Sequence, residues 1–153
     1  TSSMSRLEKV DEMIKKCANA AAMALDCTVT LTFGLSDFAD MVRNYPLENK
    51  ITELMEGYGL KVGDVPPASG SSDVGNISYH CPAMQSMLSI TDENFALHTR
   101  DFRDATLKPK AHDAMAKGAC CLADLSLKIF NDDSFRSTVY EAWQKELKNK
   151  QSD

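Results

Sequence analysis

A run of proline, glycine and serine near the middle of the chain limits which folds the sequence can form. Residues Pro66–Ser72 read PPASGSS. Prolines remove backbone donors, and glycine and serine favour turns, so this run predicts a loop rather than a helix or a strand. Asp73 and Asn76 extend the loop, because their side chains readily close local turns. We therefore expect the regular elements to lie on either side of a loop that reaches Asn76.

Two segments before this loop carry apolar residues at helical spacing. The first predicts a helix from Ser5 to about Leu25, with charged residues on its other face. The second predicts a helix that begins at Pro46, because proline suits the first helical turn and leaves Asn44 or Tyr45 to cap it. Gly57 and Gly59 mark where that helix ends.

Two further helices are predicted after the loop. Pro109 suits the first turn of a helix that continues to about Ile129. The sequence Asn131–Ser134 reads as a stop followed by a new cap. A last helix follows over Phe135–Leu147, and we expect the tail Lys148–Asp153 to fray.

Strand signals are few. Thr28–Phe33 alternates threonine with Val, Leu and Phe, which predicts a strand with one buried face. A strand needs partners for its backbone, and these must come from this chain or from another. Lys61–Val65 and Met84–Ile90 are short enough for further strands. The expected fold class is therefore α/β, rich in helices and with few strands.

Charge and cysteine content exclude several classes of partner. Lys and Arg number 17 and Asp and Glu 22, which gives a net charge of −5 without a basic run. Binding to nucleic acid or to an anionic membrane is therefore not expected. The five cysteines form no CxxC pair, which favours a reducing, cytoplasmic compartment over a disulfide-bonded secreted one. We interpret each cysteine as a small buried residue.

The candidate site residues are a histidine and the glycine-rich loop. His98 is followed by Thr, Arg and Asp, whereas His80 and His112 read as structural residues, and none of the three has HExxH spacing. Histidine is the commonest metal ligand, but a lone histidine is more often structural. Free backbone N–H groups in a loop such as Gly70–Asn76 can hold an anion, although the same composition also suits a plain surface loop.

The loop and the histidine together resemble a known family. The motif Gly-Ser-Ser-Asp73-Val-Gly-Asn76-Ile-Ser78, followed by Leu97-His98-Thr99, is similar to the late part of the aminoacylase/carboxypeptidase family of di-zinc hydrolases, family M-twenty. The branch it most resembles contains p-aminobenzoyl-glutamate hydrolases and dipeptidase-like amidohydrolases. Serine at position 72 replaces the more usual threonine. The resemblance extends over nearly the whole chain, but its specific part is the loop with the histidine.

The resemblance implies a role for each part of the chain. Residues 1–34 would be the end of a lid or dimerisation domain, and residues 35–153 the C-terminal part of a catalytic domain. His98 would bind one of two zinc ions in the full-length subunit, and Asp101 would orient the site from behind this ligand. The general base and the other ligands would lie outside the chain, so the chain alone would be inactive. The substrate-binding residues would be Gly70, Ser71, Ser72, Asp73 and Asn76.

The resemblance also implies a substrate class and a partner. The reaction would be hydrolysis of an amide bond next to a small carboxylate, as in an aminoacyl-glutamate or a dipeptide. The partner would be a second copy of the chain or the missing N-terminal segment. The alternative is a non-catalytic interaction protein whose strand Thr28–Phe33 pairs with a partner. Redox sensing through Cys120 and Cys121 is a third possibility, and it requires exposed thiols.

Overall fold

Helices make up the regular structure of the described residues. The computed structural model describes residues 3–34, 37–63, 70 and 72–152, and for 151 and 152 the backbone alone. The predicted helix-rich fold is confirmed. In these residues the helices are α1 (Met4–Ala24), α2 (Tyr45–Gly57), α3 (Val74–Ser78), α4 (Arg100–Ala105), α5 (Pro109–Asn131) and α6 (Asp133–Ser152).

The core forms where α2, α5 and α6 pack against one another. Each helix has an apolar stripe at the spacing of three and four residues, and the stripes meet because their burial removes apolar surface from water. In contrast, α1 buries only Ala22, and Met13 on its predicted apolar face is 64% exposed. The buried cluster consists of Leu47, Ile51, Met55, Cys121, Leu125 and Val139.

The ends of α2 agree with the sequence signals. The Asn44 side chain accepts a hydrogen bond from the backbone N–H of Leu47 at 3.2 Å, so Asn44 rather than Tyr45 is the cap. At the other end, Gly59 has a φ of +73°, which glycine adopts without strain. This conformation lets the N–H of Leu60 reach the carbonyl of Met55 at 2.9 Å and closes the helix with a Schellman motif.

The predicted boundary between the last two helices is confirmed, but the last helix is longer than predicted. Asp132 ends α5, and its side chain accepts a hydrogen bond from the N–H of Phe135 at 2.8 Å, which starts α6. The helix then continues to Ser152 instead of ending near Leu147. A tertiary contact holds this tail, because Lys150 forms an ion pair with Asp40.

The predicted strand Thr28–Phe33 is not formed. Residues 28–34 have no regular structure and make no hydrogen bond to another described residue. The segment returns alongside α1, since the Lys15 ammonium lies 5.5 Å from the centre of the Phe33 ring. A strand exists only where a second strand supplies donors and acceptors, and the described part of the chain contains none.

The segment Met84–Ile90 is also not a paired strand. Met84 and Leu88 pack against the core, whereas Met87 between them is 65% exposed. This alternation is typical of a strand, but residues 82–98 form no backbone–backbone hydrogen bond with any described residue. The third predicted strand, Lys61–Val65, shows no strand over 61–63, and its last two residues lie outside the described ranges.

Most of the cysteines lie on the surface, contrary to the prediction. Cys17, Cys27, Cys81 and Cys120 are exposed and only Cys121 is buried, with all five thiols free. Burial raises the pKa of the Cys121 thiol, and the neighbouring Cys120 raises it further. A buried thiol with a raised pKa is a poor redox sensor, which argues against that possibility. Among the described helices, none is long and apolar enough to span a lipid bilayer.

Candidate functional site

The glycine-rich loop ends at Asp73, three residues earlier than predicted, and local hydrogen bonds join it to the helix that follows. The prediction of a loop as far as Asn76 is wrong in its last part, since Val74–Ser78 forms α3. The Ser72 carbonyl accepts a hydrogen bond from the N–H of Gly75 at 3.2 Å. The Ser72 hydroxyl also accepts one from the N–H of Val74 at 3.2 Å. The position of α3 therefore sets the position of the loop residue before it.

The side chain of Asn76 holds a distant piece of backbone. Its amide oxygen accepts a hydrogen bond from the N–H of Ala39 at 3.1 Å. Its amide nitrogen donates one to the carbonyl of Asp37 at 2.9 Å. One side chain thus binds a donor and an acceptor of a segment that has no secondary structure of its own.

Gly75 allows that segment to come close. A Cβ atom at position 75 would lie 1.9 Å from the Ala39 carbonyl oxygen, a distance that no side chain can accommodate. Glycine is therefore required here by contact rather than by backbone conformation. We refer to Gly75, Asn76 and Ser78, together with the backbone of residues 37–42 that they contact, as the clasp.

Ser78 anchors the clasp in the interior. Its side chain is fully buried; its hydroxyl donates to the Gly75 carbonyl at 2.6 Å and accepts from the N–H of Val42 at 2.8 Å. Its carbonyl accepts a hydrogen bond from the indole N–H of Trp143 on α6 at 2.7 Å. Each of these buried polar groups has a partner, and such networks fix a single arrangement of the elements they join.

Asp40 lies in the same segment and joins three other parts of the chain. Its carboxylate accepts hydrogen bonds from the N–H of Met4 at 3.1 Å and from the Tyr79 hydroxyl at 3.0 Å. It also forms the ion pair with Lys150. Burial by itself raises the pKa of Asp40, but the bonds from Lys150, Met4 and Tyr79 outweigh burial and lower the pKa below its usual value. Burial, followed by the bond to Asp40, raises the pKa of Tyr79 to about 12.

The lowered pKa of Asp40 predicts a stability contribution that acid removes. A carboxyl with a depressed folded-state pKa stabilises the protein above its unfolded pKa of about 3.9, and this contribution is lost as the pH falls through the folded-state value. Asp40→Asn should therefore lower the free energy of unfolding at pH 7 and should have progressively less effect below about pH 4. Urea titrations at pH 7, 5 and 3 measure this difference. A difference that is constant over that range would contradict the assignment.

His98 precedes α4 in an unusual backbone conformation. Its φ is +64°, in the left-handed region, and its side chain is exposed. Histidine occupies this region more readily than most residues, but the conformation is still uncommon outside glycine. Thr99 then caps α4 by accepting a hydrogen bond from the N–H of Phe102 at 3.3 Å. The imidazole is thus held at the start of a helix and open to solvent, rather than packed in an apolar interior.

The remaining candidate residues that the structure describes are exposed. Asp101 lies in the first turn of α4 and Asp73 caps α3 without a side-chain hydrogen bond, and both are exposed. Gly70 is also exposed, and Ser71 lies outside the described residues. Within the described ranges, no hydrogen bond or ion pair links His98 to Asp101 or to the loop. The roles assigned to these residues from the sequence stay predictions.

The described residues do not provide a complete zinc site. A catalytic zinc needs three protein ligands, usually nitrogen or oxygen atoms of His, Asp and Glu. Within residues 3–34, 37–63, 70 and 72–152, no group of three or more His, Cys, Asp or Glu side chains is placed to hold a metal ion. A zinc bound through His98 would therefore need ligands from outside these residues.

An apolar cleft lies elsewhere on the molecule, between α2, α5 and the segment 84–90. Its volume is about 380 Å³, and Met55, Leu88 and Met115 are among its lining residues. Gly118 on α5 lets Leu88 approach, since a Cβ there would lie 2.5 Å from the Leu88 Cδ1 atom. None of the candidate site residues lines this cleft. Its lining offers few polar groups to orient a substrate, so it is not the expected reaction site.

Sequence reasoning missed several residues that join distant parts of the chain. Asp40, Asn44, Tyr79 and Trp143 were not candidates, because their partners lie 36 to 110 residues away. Asn44 was expected only as a cap; it is fully buried, and its amide nitrogen also donates to the Val139 carbonyl at 2.9 Å. No local pattern in the sequence signals such contacts.

Comparison with known proteins points to peptidases. No protein-family model matches the chain. Xaa-Arg dipeptidase of Mus musculus is 26% identical over 152 residues, which cover 97% of this chain and 34% of that protein. Xaa-Arg dipeptidase of Homo sapiens is 25% identical, with 97% of this chain and 35% of that protein covered. The chain therefore spans about a third of the length of the curated relatives it matches. This similarity supports a distant relation to a peptidase family. It does not identify a branch of that family.

Proposed function

We propose that this chain is part of a longer hydrolase that cleaves the amide bond of a dipeptide or of an aminoacyl-glutamate. The observation that carries the proposal is the similarity to two dipeptidases over 97% of the chain. Both relatives are about three times as long as the chain, so a complete enzyme of this kind contains residues that are not found here. The proposed chain contributes one wall of the active site and not the whole of it.

Two features of the chain support a role at the active site. The loop before α3 is exposed at Gly70 and Asp73, and the clasp fixes its far end. His98 presents an exposed imidazole from a left-handed backbone conformation. Uncommon backbone conformations cost free energy and are concentrated at functional positions. We propose that the loop contacts the carboxylate or amide of the substrate.

His98 is the proposed metal ligand of this chain. An imidazole is a suitable zinc ligand, and the remaining ligands and the general base would come from the rest of the longer protein. The proposed full-length subunit contains two zinc ions. It belongs to a homo-oligomer in the cytoplasm.

The test compares one histidine with another in the longer protein. Hydrolysis of p-aminobenzoyl-glutamate and of dipeptides with a C-terminal arginine is measured for the parent, for His98→Ala and for His112→Ala, whose histidine is also exposed. Groups that merely support a metal ligand are worth about 10–100-fold, so His98→Ala should lower kcat/KM by at least about 100-fold and reduce bound zinc. His112→Ala should leave both close to those of the parent.

Other outcomes would support a different function. Stoichiometric zinc together with activity in the 153-residue chain alone would contradict the proposal that the site is shared with further residues. Absence of hydrolysis in the longer protein, together with dimers that dissociate when Thr30→Pro is introduced, would favour the interaction protein. The unpaired segment 28–34 supports that alternative, because it exposes backbone groups that a strand from a partner can bind.

A further inference from the structure

Asn76 is placed to control the loop rather than to touch a substrate. Both functional groups of its amide are bonded to the backbone of Asp37 and Ala39. Each of these atoms keeps one further hydrogen-bonding position, but its orientation is set by the bond to the backbone segment. The contact at Gly75 and the buried bonds of Ser78 hold the segment at the same face of α3.

We infer that Asn76 is a positioning residue: with the rest of the clasp it sets the place of the loop residues Ser72 and Asp73, and those residues contact the substrate. This inference rests on the proposed function. It assigns to Asn76 a role different from the direct contact expected from the sequence motif.

The path from Asn76 to the loop is short and continuous. The N–H of Gly75 bonds to the Ser72 carbonyl, and the N–H of Ile77 bonds to the Asp73 carbonyl at 3.2 Å. A shift of α3 therefore moves Ser72 and Asp73 with it. On the other side, Trp143 ties the last residue of α3 to α6, so the helix has a fixed support.

The clasp can be weakened without unfolding the chain. Asn76 and its two hydrogen bonds are exposed, whereas the core of α2, α5 and α6 lies elsewhere. Exposed hydrogen bonds compete with water and contribute little to global stability, but they decide which local arrangement is populated. Substitution of Asn76 should therefore change the local structure selectively.

Amide hydrogen exchange tests whether the clasp exists. In Asn76→Ala, exchange of the Ala39 amide should become at least about tenfold faster, since local opening controls exchange. The Val42 amide, which bonds to Ser78, should remain protected. Asn76→Asp keeps an oxygen for the Ala39 amide and loses the donor to Asp37, so the Ala39 amide should stay largely protected. Ile77→Ala is the matched control, because this neighbouring side chain is half exposed and outside the clasp.

A second signal comes from the only tryptophan of the chain. The Trp143 indole N–H bonds to the Ser78 carbonyl at the end of α3. Its proton resonance should shift when a substrate or a product binds to the loop of the longer protein. In Asn76→Ala this shift should become smaller at the same ligand saturation, since the loop is then less firmly coupled to α3.

Kinetics in the longer protein test the positioning role. A misplaced loop weakens substrate binding without altering the reacting groups, so Asn76→Ala should raise KM by about tenfold and leave kcat within about twofold. Faster Ala39 exchange with unchanged KM would overturn the positioning role, as would a fall in kcat at constant KM. Unchanged Ala39 exchange would overturn the clasp itself. If the parent hydrolyses none of the substrates, the proposed function and the positioning role both fail, and the exchange result still decides the clasp.

Discussion

Replacing Gly75 with alanine should lower the free energy of unfolding by about 3 kcal/mol, at the upper end of what overpacking usually costs. The added Cβ would lie 1.9 Å from the Ala39 carbonyl oxygen and 2.9 Å from the carbonyl carbon. These are backbone atoms, so they cannot move aside as the end of a flexible side chain can. The segment 37–42 must then leave α3, and the bonds of Asn76 and Ser78 are lost with it.

Gly57→Ala is the matched control for this substitution. Gly57 is the last residue of α2, and a Cβ there would have no atom within 4 Å. Alanine should leave the stability unchanged or raise it by about 0.4–1 kcal/mol, because it restricts the unfolded chain more than glycine does. Urea denaturation followed by circular dichroism measures both variants. A Gly75→Ala variant as stable as the parent would show that residues 37–42 do not approach α3.

Asn44→Ala should destabilise the protein by about 2–4 kcal/mol, because it removes a helix cap and also leaves a buried gap. The Asn44 side chain has no exposed surface. Its oxygen caps α2 at Leu47, and its nitrogen bonds to the Val139 carbonyl on α6. One residue thus connects the start of α2 to a helix 95 residues further along the chain.

A second substitution separates the two functions of Asn44. Asn44→Ser keeps an oxygen that can cap α2 but is too short to reach the Val139 carbonyl, so it should recover about 1 kcal/mol of the loss. Asn149→Ala, at an exposed position on α6, should change the stability by less than about 0.5 kcal/mol. Equal losses for Asn44→Ala and Asn44→Ser would mean that the cap contributes nothing.

The substitutions at Gly75 and Asn44 test contacts that differ in how far they can be predicted from the sequence. The position before Pro46 leaves Asn44 or Tyr45 as the cap of α2, and the structure selects Asn44. Its bond to α6 was not predicted, because nothing near residue 44 indicates that residue 139 will lie above it. The sequence predicts Gly75 within a loop, but its role depends on the approach of residue 39.

The strand predictions failed for a related reason. The alternation in Thr28–Phe33 and the packing of Met84 and Leu88 show that the side-chain pattern of a strand is present. A helix satisfies its backbone within one segment, whereas a strand depends on a neighbour. In the described residues neither segment has such a neighbour. The same holds for the candidate site. The sequence motif indicates which residues belong to it, but it does not indicate the long-range contacts that hold them.

The sequence by itself determined where α2 and α5 begin and end and where α6 begins. Apolar spacing, Pro46, Pro109, Gly59 and Asp132 act within a few residues, so these positions can be derived from local chemistry, whereas the end of α6 cannot. Only the tertiary structure decided what holds the loop: the Asn76 and Ser78 bonds to residues 37–42, the Trp143 contact and the Asp40 cluster. These contacts join residues 36 to 110 positions apart, and their geometry exists only after the helices have packed.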